Sequence, residues 1–363
     1  MGGGKIQLKH DGLNGSLRFT GNPQITFFKS IYRRHTPFAI ESIVIEHTRK
    51  DQSRATYIVP HHGDLLHKMY IECPVADSNV LGYALISSIS VRIGSDTIDT
   101  HTGEFLMIWH ELTSGMKESL RIQGGKDQTI YLPLAFWFCR DTPFPLIALQ
   151  NQEFIIEIDF TTTDSNDTNN YTEPIQLYGD FIFLGAKERR MVAQSMHEYL
   201  IETVDTQTFP RSNMKPDNWN PQTDPENKYS GTFTIPMHFI HPTKELIWVV
   251  KTDHHTLGDD YYACGDIDFF LNDSICVTSR QQKYFTLVQP YYYHTNIPKR
   301  NNINVLSFSL HPEDHQPSGT LILQQNHKFI MHIYLYNHTD TIELYSVHYK
   351  RLRIASGVCG IVG

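Results

Sequence analysis

The sequence predicts an all-β chain of two sandwiches in tandem, and three observations predict it. Apolar residues recur at every second position through much of the chain, helical spacing is confined to two segments, and a stretch crowded with Pro, Asn and Asp separates two sets of strands. At 363 residues the chain is roughly twice the ~150-residue length expected of one domain. Hydrophobic residues make up 40% of it and charged residues 19%, which is enough for a sizeable core and too little charge for disorder.

The strands follow in order. Ile40 to His47 and Lys68 to Cys73 have strand composition between polar breaks. Leu85, Ser87, Ile89, Val91 and Ile93 set out the period of two, with Ser88, Ser90 and Arg92 turned toward solvent or a partner. Phe154, Ile156, Ile158 and Phe160 alternate with polar neighbours that include Glu153, Glu157 and Asp159, and Gln176 to Leu184 follows. In the second half the strands are Thr232 to Phe239, Glu245 to Lys251, Ile303 to Leu310, Phe329 to Leu335 and His348 to Ile354. Helical spacing appears in Gly103 to Ser114, through Phe105, Ile108, Trp109 and Leu112, and a second helix is expected over Lys187 to Tyr199. Neither half alternates strand with helix, which argues against a doubly wound sheet.

Residues 206–231 cannot bury much or hold regular hydrogen bonding, so they read as a linker. The expected division is an N-terminal arm at 1–20, a first sandwich at 21–205, the linker at 206–231 and a second sandwich at 232–363. Thr161 to Glu173 is a polar, exposed loop within the first half.

Composition excludes several functions. Lys and Arg total 31 against 39 for Asp and Glu, a net charge of −8, and no basic run steers the chain onto phosphates, so direct nucleic-acid binding is not expected. Five cysteines without a Cys-x-x-Cys pair fit reduced thiols better than a disulfide framework. The five Asn-x-Ser/Thr matches are expected by chance in a chain rich in these residues. No apolar run reads as a signal peptide or approaches the ~20 residues of a membrane span, so the chain is expected to be soluble, with room to lie beside a membrane.

Twenty histidines raise the question of a metal site. His61 and His62, His254 and His255, His238 and His241, and His311 and His315 are the close groups, yet no two stand two apart as a metal-binding jelly roll needs on one strand face. Gly124, Gly125 and Lys126 lack the phosphate-loop spacing, and there is no nucleophile elbow or zinc-protease pair. No catalysis, metal or cofactor is expected. Arg33, Arg34 and His35 form the densest basic spot of the first quarter. They read either as the polar start of a surface strand or as a contact fixing register between subunits through forked Arg donors. Leu132 to Leu149 joins Phe136, Trp137 and Phe138 to three prolines and reads as an aromatic core segment followed by a rigid corner.

These segments carry a resemblance. Gly21 to Phe38 (GNPQITFFKSIYRRHTPF) resembles the N-terminal signature of the major capsid proteins of nucleocytoplasmic large DNA viruses, the iridovirus, phycodnavirus and marseillevirus group. Arg92 to Leu112, Leu132 to Phe160, His197 to Thr203, Ser307 to Thr320 and Tyr349 to Gly360 resemble later blocks of that family in the same order.

The resemblance implies two consecutive eight-stranded antiparallel jelly rolls standing side by side, and three copies forming a pseudo-hexagonal capsomer of an icosahedral shell. It implies no enzyme. The partners would be the chain itself as a homotrimer, neighbouring capsomers, minor capsid proteins and an internal viral membrane. Its place would be the virion, with assembly in the host cytoplasm. The chain is shorter than is typical of the family, which leaves a minor or scaffolding paralogue as a second reading, and a carbohydrate-binding or metal-dependent jelly roll as a third. Gly2 to Thr20, with Lys5, Lys9, His10 and Arg18, is expected to be an extended arm at the inner face.

Overall fold

Alternation in sequence becomes alternation of buried and exposed side chains along the strands. The computed structural model describes residues 30, 36–51, 53–75, 82–114, 128–140, 142–161, 175–213, 217, 230–252, 255–257, 259–272, 274–323, 328–336 and 341–362. The chain divides into Met1–Phe38, almost all of it outside the described residues, and the body Ala39–Gly363.

Two pairs of sheets make up the fold. Sheet A runs in the order β1 (Phe38–Ile45), β9 (Gln176–Leu184), β4 (Leu65–Val75), β7 (Gln128–Pro133). Sheet B runs β2 (Arg49–Lys50), β3 (Arg54–Ile58), β8 (Phe154–Phe160), β5 (Ile86–Ile93), β6 (Asp96–Thr102). Sheet C runs β10 (His197–Pro210), β17 (Thr341–Ala355), β12 (Thr243–Lys251), β15 (Asn304–Ser307), with β18 (Val358–Val362) also on β17. Sheet D runs β11 (Gly231–Met237), β16 (Phe329–Leu335), β13 (Ile267–Leu271), β14 (Ser274–Arg280). Neighbouring strands pair antiparallel. With β2 and β3 counted as one strand and β18 as an addition, each sandwich has the order 1-8-3-6 in one sheet and 2-7-4-5 in the other. That is the eight-stranded jelly roll, twice, as expected.

Local chemistry explains where elements begin and end. In β5 the register shifts between Ile86 and Ser88, so Ile86 and Ile89 both turn inward and the strict alternation resumes only after the bulge. Helix α1 (Gly103–Thr113) starts at Thr102, whose side chain accepts from the Phe105 amide at 3.1 Å. Only glycine fits its first position, because a Cβ on Gly103 would lie 2.2 Å from the carbonyl oxygens of Tyr83 and Ile86. Helix α2 (Trp137–Arg140) lies in the aromatic segment, which is core as read, and Phe136 stacks on His101 at 4.5 Å.

Helix α3 (Ala186–Gln194) is shorter than the expected Lys187 to Tyr199. Ser195 turns back to bond the Met191 carbonyl, His197 Nε2 meets the Val192 carbonyl at 2.6 Å, and β10 begins there. That strand continues through Pro210 in full register with β17, so residues 206–210 belong to sheet C and the Pro- and Asn-rich stretch joins β10 to β11. The expected strand Ile303 to Leu310 ends at Ser307, whose hydroxyl donates to the Ser309 carbonyl and folds the chain into a turn. A π-helical turn, Tyr284–Val288, runs into helix α4 (Gln289–Tyr293).

The middle of sheet C, β12 above all, is buried on both faces, which fuses the sandwiches. Leu246, Trp248, Val250, Ile342 and Leu344 face the core shared with sheet D. Ile247, Val249, Val305, Tyr345 and Val347 join the cluster that fills the first sandwich. A strand covered on both sides reads as a continuous apolar run, as Leu246 to Val250 does.

Candidate functional site

Several buried charged and aromatic side chains converge on the seam between the two jelly rolls. The connection between the fifth and sixth strands carries a helix in both sandwiches, α1 in the first and α4 in the second. These connections meet at one end, where Arg300 pairs with Glu111 and the Asn296 amide donates to the Leu112 carbonyl at 2.9 Å. At the opposite end the β17–β18 turn, with Ser356 and Gly357 in the left-handed region, meets the connection before β8. There the Asn151 amide donates to the Gly357 carbonyl at 3.0 Å and the Cys359 amide to Gln152 Oε1 at 2.6 Å. Contacts of like end with like end set the two wedges side by side with their ends aligned.

Three ionic clusters lie along this seam. Glu202 of β10 is 1% exposed and takes Arg140 of α2 on one oxygen and Lys244 of β12, 0% exposed, on the other at 2.5 Å. Burial lowers the Lys244 pKa and the Glu202 charge acts against that shift. Arg140 also lies over the Trp109 ring at 4.6 Å, so one guanidinium ties α2, α1 and sheet C together.

His294, after α4, stands between Glu245 at 3.0 Å and Glu313 at 3.1 Å, edge-on to Trp109. Burial works against its charged form, but the two carboxylates outweigh burial and hold it at about 9. The third cluster places Lys251 of β12 between Glu104 of α1, at 2.5 Å, and Glu343 of β17.

Outside the seam, apolar side chains stand in solvent at both ends. Near α4 these are Leu287, Val288, Tyr291 at 69% and Tyr292 at 71% exposure. At the other end Ile240 is 87% exposed, and Met191 in α3 and Met196 just after it stand in solvent, α3 being a helix without one buried residue. β14 is an edge strand exposed along nearly its whole length.

The sequence candidates fare differently. Lys5, Lys9, Arg18, Arg33, Arg34 and His35 lie outside the described residues. His61, His62, His238 and His311 are exposed, whereas His255 joins the Lys251 cluster. Among the described residues no group of three or more His, Cys, Asp or Glu is arranged to hold a metal ion, and no helix is long and apolar enough to cross a membrane. Cys73, Cys139, Cys264 and Cys359 are buried, which pushes their thiols up to about 12. Glu202, Glu104 and His294 were not singled out by sequence reasoning. The one available signal was a lone acid inside the apolar run Leu200 to Val204.

Two side-by-side jelly rolls, locked through a charged seam and exposed at their ends and edges, define a double jelly-roll protein that works through its surfaces. The family described as "Large eukaryotic DNA virus major capsid protein" matches residues 188–360, and "Major capsid protein N-terminus" matches residues 26–185. The chain is 34% identical to the major capsid protein of Pyramimonas orientalis virus, over 99% of each chain. It is 28% identical to that of Paramecium bursaria Chlorella virus 1, over 88% of this chain and 84% of the other. In fold it resembles a chain of the PBCV-1 virus capsid, with a TM-score of 0.78 and 22% identity over 93% of this chain and 100% of that one. It also resembles the Faustovirus major capsid protein, with a TM-score of 0.68 and 10% identity over 91% and 93%. The chain belongs to the major capsid protein family of large eukaryotic DNA viruses. It is a structural protein of the virus capsid, and its relatives are capsid proteins, a family not known as enzymes.

Proposed function

We propose that three copies of this chain associate into a pseudo-hexagonal capsomer and that these capsomers tile the shell. The observation that carries this reading is the repeated strand order in two wedges set side by side by one rigid seam. Two similar wedges tripled about an axis give six, so one symmetric block meets six neighbours through repeated contacts. A single jelly roll per wedge keeps backbone hydrogen bonds inside the sandwich and leaves its ends and edges for neighbours. Light scattering on the purified chain tests the reading: the mass of three chains supports it, and a monomer at every concentration overturns it.

The working units are taken as 38–184 and 197–362, with α3 between them. The pairing of β10 with β17 and the meeting of the two family matches between residues 185 and 188 support that division over one at 206–231. The partners we propose are neighbouring capsomers, minor capsid proteins and an internal viral membrane, with assembly in the host cytoplasm. Residues 1–20, through Lys5, Lys9 and Arg18, act as an inner arm, and Arg33, Arg34 and His35 fix register between subunits. Deleting residues 2–20 leaves soluble trimers and impairs shell or membrane association; normal particles from the truncated chain would refute the arm's role.

A further inference from the structure

The cluster around Glu104 has a composition that a purely structural ion pair does not need. Two carboxylates, Glu104 from α1 and Glu343 from β17, share a single ammonium, Lys251 of β12. Among the described residues the second oxygen of Glu104 has no donor at full hydrogen-bond geometry, and the Tyr261 hydroxyl is the group that approaches Glu104. That oxygen faces His255 Nε2 at 3.9 Å, and that nitrogen is likewise buried and has no hydrogen-bond partner among the described residues. Tyr261 stacks on His255 at 4.8 Å, and Tyr345 packs on Phe105 of α1 at 5.5 Å, so aromatic rings cover much of a cluster whose Lys251, Glu104 and Glu343 side chains keep 18%, 13% and 12% exposure. The groups that face Glu104 are therefore Lys251 on β12, His255 and Tyr261 on the segment after it, and Glu343 and Tyr345 on β17. Asp259 lies within electrostatic reach of His255.

With both carboxylates ionised, this enclosed site holds one negative charge more than Lys251 balances, and a buried excess charge is costly. One added proton removes it. We propose that the Glu104 cluster is a proton-operated latch: a proton taken up by Glu104 tightens the hold of α1 on the second sandwich, and its loss loosens the seam.

The direction follows from linkage. Burial first, and the Glu343 charge after it, raise Glu104 against the pull of Lys251 to about 7. Burial lowers His255, so the proton resides on the carboxyl. An acid raised on folding contributes stability that is fully present below its ordinary value of 4.5 and is lost as pH rises through about 7. The seam is thus firmest in mild acid and slackens above neutrality, a property of the single chain that holds whether or not it trimerises.

The test is denaturant unfolding of the full chain between pH 5 and 8.5, beside Glu104→Gln, which is neutral at every pH. In the wild type the logarithm of the unfolding constant should rise with pH, and in Glu104→Gln that slope should fall by about one proton between pH 5 and 6.5. An unchanged slope in the variant overturns the latch. Should Glu104→Gln fail to fold, pH-difference infrared spectroscopy of the wild type and of Glu343→Gln decides. A protonated carboxyl band is expected in the wild type at pH 6, and in Glu343→Gln, where Lys251 faces a single carboxylate, it should disappear at a lower pH; a band that titrates identically in Glu343→Gln, or no band in the wild type, rejects the proposal.

Discussion

Replacing Glu202 by glutamine removes one charge from a site where two cations meet. Lys244 is fully buried and Arg140 largely so, with 17% of its side chain exposed, and Glu202 is the carboxylate both of them touch. Breaking a buried pair by deleting one partner costs about 3–5 kcal/mol, because the remaining charge is left without compensation. At about 2 °C per kcal/mol for a body of this size, the midpoint should fall by roughly 6–10 °C. The loss should also depend on pH. Burial already lowers Lys244, and without Glu202 it falls further, so the folded variant holds Lys244 neutral at a pH where the unfolded chain protonates it. A folded value below the unfolded one means stability that is lost as pH falls, so Glu202→Gln should be weakest relative to wild type in acid. The assay is thermal unfolding followed by circular dichroism at several pH values, with Glu202→Leu combined with Lys244→Met as the partner experiment. That pair should lose less than Glu202→Gln alone. A loss below about 1 kcal/mol in Glu202→Gln, or a larger loss in the double variant, would show that the triad does not hold the seam.

Other outcomes follow from the same packing. Trp248→Ala removes a ring enclosed by Phe269 and Phe285 and should cost about 3–5 kcal/mol in chemical denaturation, with exposed Tyr291→Ala changing stability little. Gly103→Ala forces a Cβ onto two carbonyl oxygens and should displace the start of α1, read as faster hydrogen exchange across Gly103–Thr113. His348, bonded to Thr203 at 2.8 Å, is lowered by burial to about 4, so its contribution is present above 6.5 and lost as pH falls through about 4. His348→Gln should therefore flatten the acid side of the stability profile.

Much of the fold was legible because one face of a strand is usually wet. β8 and β16 alternate without a break, and their expected limits coincide with the observed ones. β6, with the sequence DTIDTHT, has too few apolar residues to announce itself, and β14 is exposed on both faces, so neither shows a buried period. β10 is not legible as a strand at all: its start falls in the expected helix and its last residues in the expected linker, because its pairing with β17 is set by tertiary contact. The seam was beyond sequence reasoning for a similar reason. Lys251 meets Glu104 across 147 residues and Glu343 across 92, and no local pattern marks partners that far apart.

The central claim is that this chain is a repeated building block of a virus shell. Quantitative mass spectrometry of purified virions, counting this chain against every other virion protein, tests it most directly. The chain should be the most abundant protein of the particle, at three copies to each capsomer. A few copies per virion, or none, would contradict it.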